Sequence, residues 1–403
     1  IKKTSSPGPR SDSASQALLH PLSPAAMTIS CLSDLLDPKA CKRLVVKVGS
    51  ALLVGPGGAP RRQWLEGLVT EIAAAHQRGQ DVVIVSSGAI ALGAARLDLP
   101  KGGRANLADA QASAAVGQIA LAELWSELLA AQDLVAAQLL LTLEDLEDRR
   151  RYLNASATLG RLLKARAVPV VNENDSVATQ EIRFGDNDRL AARVAQAAHA
   201  NAVMLLSDVD GLYDRDPADR DAQLMPFVRG VTPEIHAMAT GASGSGLGSG
   251  GMTSKLQAAE IAERAGIVLA ILNGTHDFPI SRATDGDIGT LFLPRRKDGA
   301  RKAWLGGRLR LKGALKVDAG AAKALAKGGS LLAAGITAVD GEFHRGDPVA
   351  ICDGAGRALA QGLVEYDAAE CSRLMGRNSS DHAEILGYSP RSAVVHRDQL
   401  VLL

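Results

Sequence analysis

The central part of the chain alternates between short apolar runs and longer amphipathic segments. The runs are rich in Val, Ile and Leu and lie at residues 43–48, 81–85, 134–141, 168–171, 203–206 and 267–272. The segments between them have helical spacing and lie at residues 62–78, 108–131, 149–166, 188–199 and 254–264. Continuous apolar runs are typical of strands whose two faces are both covered by helices. The pattern therefore predicts an α/β fold with an open, mostly parallel sheet sandwiched between helices.

The pattern changes beyond a polar connector at residues 294–299. Short strand-like pieces broken by Gly and Asp follow at residues 331–332, 338–339, 348–352, 358–365 and 393–402, with one short helix predicted at 319–327. Such a stretch is typical of a small β-rich unit with its own core. We therefore expect an α/β domain over residues 41–298 and a small β-rich C-terminal domain over residues 299–403.

Composition narrows the classes of protein. A chain of 403 residues is too long for one small core. Because 45 Lys and Arg stand against 44 Asp and Glu, no overall basic field attracts nucleic acid or a membrane surface, and any anion site must be local. Aromatic residues make up only 3% of the chain, so stacking platforms for exposed bases are scarce.

The cysteines and the N-terminal segment bear on the compartment. The four cysteines are far apart, without a CxxC pair or histidines at metal-ligand spacing. We therefore expect neither a disulfide framework nor a protein-held metal, and a cytoplasmic location. Residues 1–26 are rich in Ser, Pro and Ala, and predict neither a signal peptide nor a spanning helix. We expect a disordered extension over residues 1–40, with a natural start near Met27.

Polar residues that follow the apolar runs are the candidates for chemistry, because ligands of open α/β sheets bind at the carboxyl ends of the strands. Lys47 lies inside the first run, where a buried ammonium needs a partner. It is either a cation aimed at phosphate oxygens or an edge-strand lysine that reaches water. Ser87 and Gly88 follow the second run, where backbone N–H groups at a helix start suit an anion. A plain serine-capped turn explains them equally well.

Two further strand ends carry clustered polar side chains. Residues 171–175 and 185–188 bring carboxylates and amides close together. Turns and caps explain each of them singly. As a cluster they suit recognition of a substrate ammonium and the holding of lysines or Mg²⁺. Ser207 and Asp208 follow another run, at a strand end that enters a turn, and serve either a nucleotide or only the loop.

The strongest signal is the glycine-rich stretch at residues 244–255. Its five glycines and three serines run directly into a predicted helix start at Thr253 and Ser254. N–H groups at that start, together with Lys255, would face the β- and γ-phosphates of a nucleotide. The alternative is a flexible linker, which such a composition often forms. A linker has no need of a lysine in the first turn of a following helix.

Other phosphate-binding signatures do not apply. The pattern Gly246-x-Gly248-x-x-Gly251 has no strand immediately before it, as a dinucleotide fingerprint requires. His396-Arg397-Asp398 lies too close to the C-terminus for a protein-kinase catalytic loop. A Walker A motif is absent, since no Gly-Lys pair occurs in the chain. The sequence thus predicts a phosphotransferase that is neither a P-loop enzyme nor a protein kinase.

Taken together, these motifs resemble the amino acid kinase family. The resemblance is carried by residues 46–50, 86–90, 171–175, 185–188 and 246–255, and runs from about Leu44 to the C-terminus. The tail resembles a PUA domain. Within the family, the resemblance is to members that use Mg·ATP to phosphorylate the side-chain carboxylate of L-glutamate, giving γ-glutamyl phosphate in the first step of proline biosynthesis.

The resemblance also implies roles for individual residues. Lys47 and Lys255 flank the transferring phosphoryl group, and Asp188 holds both lysines. Ser87, Asp175 and Asn187 bind glutamate, with Asp175 taking its ammonium. The residues expected to hold ATP are Lys47, Ser207, Asp208, Ser249, Gly250, Gly251, Met252, Thr253, Ser254 and Lys255. The family often has Thr where this chain has Ser207, and the hydroxyl is kept. A homo-oligomer (dimer or tetramer) that is inhibited by proline is also implied.

Two kinds of alternative stay open. A related member of the family would act on acetylglutamate, aspartate or UMP. Asp175 favours a substrate with a free ammonium group over one whose amino group is acetylated. An RNA-binding protein is the alternative from another class, since PUA domains elsewhere bind RNA. The near-zero net charge and the few aromatic residues speak against it. A local basic group remains in the tail, formed by Arg308, Arg310, Lys312 and Lys316.

Overall fold

The computed structural model describes residues 29–177, 187–239, 251–295, 311–388 and 391–403. Within these ranges the chain forms an eight-stranded sheet, then a five-stranded sheet and a two-stranded ribbon. The strands of the large sheet are β1 Arg43–Val48, β2 Asp81–Ser86, β3 Ala136–Leu141, β4 Val168–Glu173, β5 Ala202–Ser207, β6 Phe227–Arg229, β7 Val268–Asn273 and β8 Thr290–Leu293.

Ten helices accompany the large sheet in the described residues. They are α1 Ser50–Leu53, α2 Arg62–Gln77, α3 Ala89–Arg96, α4 Leu107–Ala130, α5 Leu143–Glu147, α6 Arg149–Lys164, α7 Asn187–Ala197, α8 Pro233–Ala239, α9 Met252–Arg264 and α10 Pro279–Gly286. The long predicted segments all appear, with ends shifted by a few residues. The short elements α1, α5, α8, α10, β6 and β8 have too few periodic positions to be read from the sequence.

The strands of the large sheet lie in the order β3-β4-β2-β1-β5-β7-β8-β6. Neighbouring strands are parallel except for β7 and β8, which are antiparallel. The predicted α/β class with a mostly parallel sheet between helices is therefore confirmed. Strand β1 is central, and Lys47 lies in register between Val85 of β2 and Leu205 of β5. The alternative of an edge-strand lysine is wrong.

The two faces of the sheet bury separate apolar cores. Val46 and Val48 of β1 belong to a core that includes residues of α2 and α4. Val45 belongs to the opposite core, which includes residues of α6, α7 and α9. Side chains alternate between the faces of a strand, so Lys47 points to the same side as Val45. This alternation directs the Lys47 ammonium toward α7 and α9.

Part of the N-terminal segment packs against the first of these cores. Ile29, Leu32 and Leu35 are buried in it, and residues 33–36 form a 3-10 helix. The disordered extension expected over residues 1–40 is therefore wrong for residues 29–40. Apolar side chains at 29, 32 and 35 have the spacing of one helical face. The prediction of disorder rested on the Ser- and Pro-rich residues before them, whose composition does not extend to this stretch. Residues 1–28 lie outside the described ranges.

Helices α3 and α4 are in backbone contact at two glycines. A Cβ atom on Gly93 of α3 would lie 1.8 Å from the carbonyl oxygen of Ser113. A Cβ atom on Gly117 of α4 would lie 1.7 Å from the carbonyl oxygen of Ala89. No other residue type fits at such a distance, so the two glycines set the position of α4 beside the turn that joins β2 to α3.

The C-terminal residues form a small β-rich unit with its own core. Its strands are β9 Gly313–Val317, β10 Leu331–Leu332, β11 Ile336–Gly341, β12 Pro348–Cys352, β13 Ala358–Leu363, β14 Ala393–Val395 and β15 Leu400–Leu402. Its helices are α11 Ala319–Ala326, α12 Ala368–Leu374 and α13 His382–Leu386. The five-stranded sheet has the order β11-β9-β12-β13-β15, and β10 pairs with β14.

The prediction for this unit misses three elements and is wrong for one strand. Strand β9 and helices α12 and α13 were not expected, and the strand expected over residues 393–402 is two strands separated by a 3-10 turn at residues 397–399. Asp367 and Glu370 form a capping box at the start of α12, a pair of residues whose spacing in the sequence is typical of a helix start.

The C-terminal unit contacts the start of α6. Arg345 donates a hydrogen bond of 2.7 Å to Asn154, and the Nε atom of Arg150 donates one of 3.1 Å to the carbonyl oxygen of Arg345. Arg149 and Asp347 form an ion pair of 3.7 Å between the same segments.

None of the helices in the described ranges has both the length and the apolar composition of a membrane span.

Candidate active site

Lys47, Asp188 and Lys255 come together at the carboxyl edge of the sheet. Lys47 lies near the end of β1, Asp188 in the first turn of α7 and Lys255 in the first turn of α9. The Lys47 Nζ atom lies 2.5 Å from Asp188 Oδ1, and the Lys255 Nζ atom lies 3.0 Å from Asp188 Oδ2. Each oxygen of one carboxylate therefore binds one ammonium. This is the arrangement in which Asp188 was expected to hold the two lysines.

All three side chains are buried, with residue exposures of 7% for Lys47, 1% for Asp188 and 5% for Lys255. Burial alone would raise the pKa of Asp188, but the two ammonium groups outweigh it and hold the pKa below its ordinary value of 3.8. Two cations share one anion, so the cluster carries a net positive charge at neutral pH. A buried positive charge of this kind attracts an anionic ligand.

A second group of residues forms a hydrogen-bonded amide cluster beside the lysines. Asn187 precedes Asp188 in α7, and its Nδ2 atom donates to Ser87 Oγ at 2.7 Å and to Asn172 Oδ1 at 3.2 Å. Ser87 follows β2, and Asn172 lies on β4, the neighbouring strand. The Oδ1 atom of Asn187 is buried and has no hydrogen-bond partner among the described residues. It is therefore an acceptor available to a ligand.

The turn after β2 owes its shape to Gly88. Its φ angle of +110° lies in the left-handed region, which favours glycine. The backbone N–H of Ser87 donates to the carbonyl oxygen of Val48 at 3.0 Å. This bond ties the end of β2 to the end of β1 and brings Ser87 to the same edge as Lys47. The serine-capped turn proposed as the plain alternative does not apply, because Gly88 is the N-cap of α3 and has no side chain.

Asp175 lies just beyond β4, three residues after Asn172, and is only 7% exposed. Its Oδ1 atom has no hydrogen-bond partner among the described residues. Burial raises the pKa of Asp175 to about 6, and the positive charge of Arg104 opposes that rise only in part. A buried carboxylate oxygen that has no hydrogen-bond partner among the described residues is a site for a ligand ammonium.

A cavity of about 260 Å³ adjoins this carboxylate. Its lining residues come from α4, from β3, from the end of β4 and from the loop that follows: Ala114, Ala115, Gln118, Ile119, Gln138, Leu140, Glu173, Asn174, Asp175 and Ser176. The volume is about that of a small metabolite rather than of a nucleotide. The cavity thus lies on the Asp175 side of the candidate site.

The residues expected to hold a nucleotide lie on the opposite side, around β5 and α9. Ser207 ends β5, and its Oγ atom donates to Asp208 at 3.1 Å. Gly251 is the N-cap of α9, and Met252, Thr253, Ser254 and Lys255 form the first turn. Backbone N–H groups at such a helix start suit phosphate. Ser249, Gly250, Gly185 and Asp186 lie outside the described residues, so the glycine-rich loop itself is untested.

Asn273 and Gln118 were not expected from the sequence. Asn273 ends β7 and donates a hydrogen bond of 2.8 Å to Asp210, which follows β5. It directly follows an apolar run, so the rule that identified Ser207 also applies to it. Gln118 accepts a hydrogen bond of 2.7 Å from Asn172 Nδ2. It lies in the middle of an Ala- and Leu-rich helix, where no local sequence signal marks it.

The geometry can hold an anion between two ammonium groups and, next to it, a small molecule that carries its own ammonium. Among the described residues no cluster of three or more His, Cys, Asp or Glu side chains could hold a metal ion. The site offers two ammonium groups, side-chain amides and helix-start N–H groups to a negatively charged reacting group. Phosphoryl transfer uses groups of these kinds, because it depends on positioning and on charge rather than on a protein nucleophile.

Comparison with known protein families agrees with this geometry. Residues 42–273 match the model of the amino acid kinase family, and residues 313–386 match that of the PUA domain.

The chain is also similar to proteins named glutamate 5-kinase. The one from Novosphingobium aromaticivorans is 69% identical over 377 residues, which cover 94% of this chain and 100% of that protein. The one from Sphingopyxis alaskensis is 58% identical over 370 residues, or 92% of this chain and 100% of that protein. The one from Zymomonas mobilis is 53% identical over 367 residues, or 91% of this chain and 92% of that protein.

Proposed function

The chain belongs to the amino acid kinase family, and we propose that it transfers the γ-phosphoryl group of ATP to the side-chain carboxylate of L-glutamate. The product is γ-glutamyl phosphate, the first intermediate of proline biosynthesis. The observation that carries the proposal is the pair of buried lysines on Asp188, together with the buried carboxylate of Asp175. The first group suits the phosphoryl group and the second suits the amino acid.

Lys47 and Lys255 have the main electrostatic role in this proposal. A γ-carboxylate oxygen of glutamate attacks the γ-phosphorus atom, the bond from that phosphorus to the bridging oxygen breaks, and ADP leaves. Negative charge is spread over the equatorial oxygens during the transfer, and cations placed beside them stabilise it. Asp188 fixes both ammonium groups before the substrates arrive, so little reorganisation is needed when charge develops.

The reaction needs no general base from the protein. A glutamate side chain has a pKa of about 4.3 and is ionised at neutral pH, so the nucleophile is ready when it binds. This accounts for a site that is built of lysines, amides and one serine. It also assigns the buried carboxylates to holding cations rather than to moving protons.

The nucleotide is expected to bind along β5 and the start of α9. The N–H groups of the first turn of α9 and the ammonium of Lys255 fit the charge of a triphosphate. Ser207 and Asp208 extend this surface along the end of β5. Mg²⁺ would enter bound to ATP and would neutralise part of the phosphate charge, and such ions usually keep several waters and few protein ligands.

Glutamate is proposed to bind between Asp175 and Ser87. Asp175 receives the α-ammonium, while Ser87 and the amide of Asn187 position the rest of the molecule toward the lysines. An acetylated amino group has no positive charge and would leave the Asp175 carboxylate buried and without a counter-ion. Recognition of a free ammonium therefore favours glutamate over acetylglutamate.

A homo-oligomer and inhibition by proline also belong to the proposal. Strand β3 lies at the edge of the large sheet, and Ile119, Val135 and Leu140 expose apolar side chains near it. Exposed edge strands are usually covered, and a second copy of the chain would cover this one.

Proline shares the α-carboxylate and the positively charged α-nitrogen of glutamate, so competition at Asp175 is the simplest form of inhibition.

Further proposals concern the compartment and the tail. All four cysteines are free, which supports a reducing compartment such as the cytoplasm.

RNA binding remains the alternative role for the PUA domain. Lys312 is exposed, Lys316 lies 4.0 Å from Asp340, and Arg308 and Arg310 lie outside the described residues. No described feature favours RNA, and binding of structured RNA that weakens steeply with salt would be required to support it.

An acceptor screen tests the proposed reaction. The protein is incubated with Mg·ATP and with glutamate, aspartate, acetylglutamate or UMP; acyl phosphate is trapped with hydroxylamine, and ADP release is measured in parallel. We expect hydroxamate with glutamate only. Equal or greater product with another acceptor would refute the assignment of glutamate, and ADP release with UMP alone would refute carboxylate transfer.

A further inference from the structure

Gln118 on helix α4 is joined to the candidate glutamate site by a chain of side-chain amides. We propose that Gln118 is a positioning residue, which acts through Asn172 to orient the substrate-binding amide of Asn187. The inference rests on the proposed function, because the effect it describes is on glutamate binding. It assigns a role to a residue that does not reach the lysines or the nucleotide side.

The chain has a defined direction at each bond. Asn172 Nδ2 donates to Gln118 Oε1 at 2.7 Å, so its Oδ1 atom is turned toward Asn187. That oxygen accepts from Asn187 Nδ2 at 3.2 Å, and the same Nδ2 atom donates to Ser87 Oγ at 2.7 Å. Both amides therefore have one orientation that satisfies all the bonds at once.

The orientation of Asn187 matters because its two polar atoms face different partners. With Nδ2 held by Ser87 and Asn172, the buried Oδ1 atom is left as an acceptor without a partner among the described residues. A ligand donor can use it. If the Asn172 amide turned over, its NH₂ group would face the NH₂ group of Asn187, and one of the two would have to move. The Gln118 oxygen opposes that turn from the other side, because it accepts the hydrogen bond of Asn172 Nδ2.

Helix α4 is placed firmly enough to act as the fixed end of this chain. Gly117, the neighbour of Gln118, lies in backbone contact with Ala89 at the start of α3. Ala89 in turn follows Ser87 and Gly88. The helix that carries Gln118 and the turn that carries Ser87 are thus held against each other at the two ends of the amide chain. A fixed outer partner of this kind is how supporting residues orient side chains that bind a substrate.

Gln138 offers a matched comparison. Gln118 and Gln138 are the same residue type and line the same cavity. Gln118 is half-buried and bonded to Asn172, whereas Gln138 is exposed on β3. A role in cavity shape or surface polarity alone would make the two replaceable in the same way. A role in orienting Asn172 would distinguish them.

The test uses Gln118→Met, which keeps the length of the side chain and removes the acceptor oxygen. We expect KM for glutamate to rise about tenfold, which is the size of one lost buried hydrogen bond, while KM for ATP stays within about twofold. Gln138 lines the same cavity without a bond to Asn172, so Gln138→Met should raise KM for glutamate clearly less than Gln118→Met does. Gln118→Ala, which favours the helix, replaces Gln118→Met if that variant folds poorly, and melting temperature is recorded for each protein.

A double-mutant cycle with Asn172→Ala separates orientation from bulk structure. If Gln118 acts through Asn172, its replacement has no further effect on KM for glutamate in the Asn172→Ala background. An unchanged KM for glutamate in Gln118→Met, or a rise that persists undiminished in the double variant, would overturn the inference. So would parallel changes in both KM values together with a lower melting temperature. Failure of the wild-type protein to phosphorylate glutamate would instead refute the proposed function.

Discussion

The ammonium of Lys47 lies 2.5 Å from the Oδ1 atom of Asp188, although the two residues belong to a central strand and to a helix that are far apart in the sequence. The other oxygen of the same carboxylate lies 3.0 Å from Lys255. One acidic side chain therefore positions both cations of the candidate site. Its loss and the loss of either lysine should have different consequences, which can be measured.

Replacing Lys255 with alanine should remove one of the two cations beside the phosphoryl group. We expect kcat to fall at least about a hundredfold, since a group that acts on developing charge contributes a few kcal/mol to the transition state. The fold should remain intact, because Asp188 keeps Lys47 as its partner. Steady-state assays with glutamate, together with circular dichroism, check both parts. Arg264→Ala, at the exposed far end of α9, is the control, and a nearly wild-type kcat in Lys255→Ala would remove this lysine from the mechanism.

Replacing Asp188 with asparagine should weaken the fold as well as the reaction. Two buried ammonium groups would then lack their shared counter-ion, and breaking a buried pair in this way costs about 3 kcal/mol or more. Urea unfolding at pH 7 measures the change. Glu127→Gln removes an exposed partner of Arg62 and should lower the free energy of unfolding far less. Equal losses in the two variants would show that the lysines do not depend on Asp188 for their stability.

Much of the fold and part of the site could be predicted, because both depend on local pattern. Apolar runs such as 43–48 and 203–206 became strands β1 and β5, since both faces of the central strands are covered. Lys47, Asp175 and Ser207 could be found because each ends or follows such a run. Their proximity follows from parallel strands, whose carboxyl ends share one edge.

The rest could not be predicted because it depends on contacts between distant elements. Gln118 is one polar residue in an apolar helix, and its bond to Asn172 depends on the position of α4, which packs closely on α3 at Gly93 and Gly117. The two strands at residues 393–402 are separated by a 3-10 turn that no Gly or Pro marks. Burial of Ile29, Leu32 and Leu35 depends on a core formed by residues far along the chain.

His382 in the C-terminal unit offers a test of buried polarity away from the site. Its side chain is fully buried, neither ring nitrogen has a hydrogen-bond partner among the described residues, and its ring lies edge-on to Tyr366. Because an unsatisfied buried polar group is costly, we expect His382→Leu to raise the free energy of unfolding by about 1 kcal/mol. Urea unfolding of this unit provides the measurement. The exposed His344 is the control, and His344→Leu should change it by less than about 0.5 kcal/mol; a loss of stability in His382→Leu would contradict the expectation.

Asp175 should give glutamate binding a pH dependence that ATP binding lacks. Its pKa is raised to about 6, so the carboxylate is charged at pH 7 and becomes protonated as the pH falls through that value. A protonated Asp175 no longer attracts an ammonium. We expect kcat/KM for glutamate to fall by about tenfold for each pH unit below about pH 6, with KM for ATP unaffected. Asp175→Asn should have a lower kcat/KM for glutamate at neutral pH and no such decline; the same decline in that variant would assign the titration to another group.

The buried Asp175 carboxylate should also lower the free energy of unfolding at neutral pH. The pKa of Asp175 is raised from its ordinary value of 3.8 to about 6, so the folded protein binds this proton more tightly than the unfolded chain does. For an acid with a raised pKa, the destabilisation is complete above about pH 6 and disappears as the pH falls below about 4. The shift corresponds to at most about 3 kcal/mol at pH 7. Asp175→Asn should therefore unfold at higher urea concentration than the wild type at pH 7, and the difference should shrink between pH 6 and pH 4. A variant less stable than the wild type at pH 7 would mean that the Asp175 carboxylate is stabilised by contacts within the fold, and that it is not held ready for a ligand ammonium.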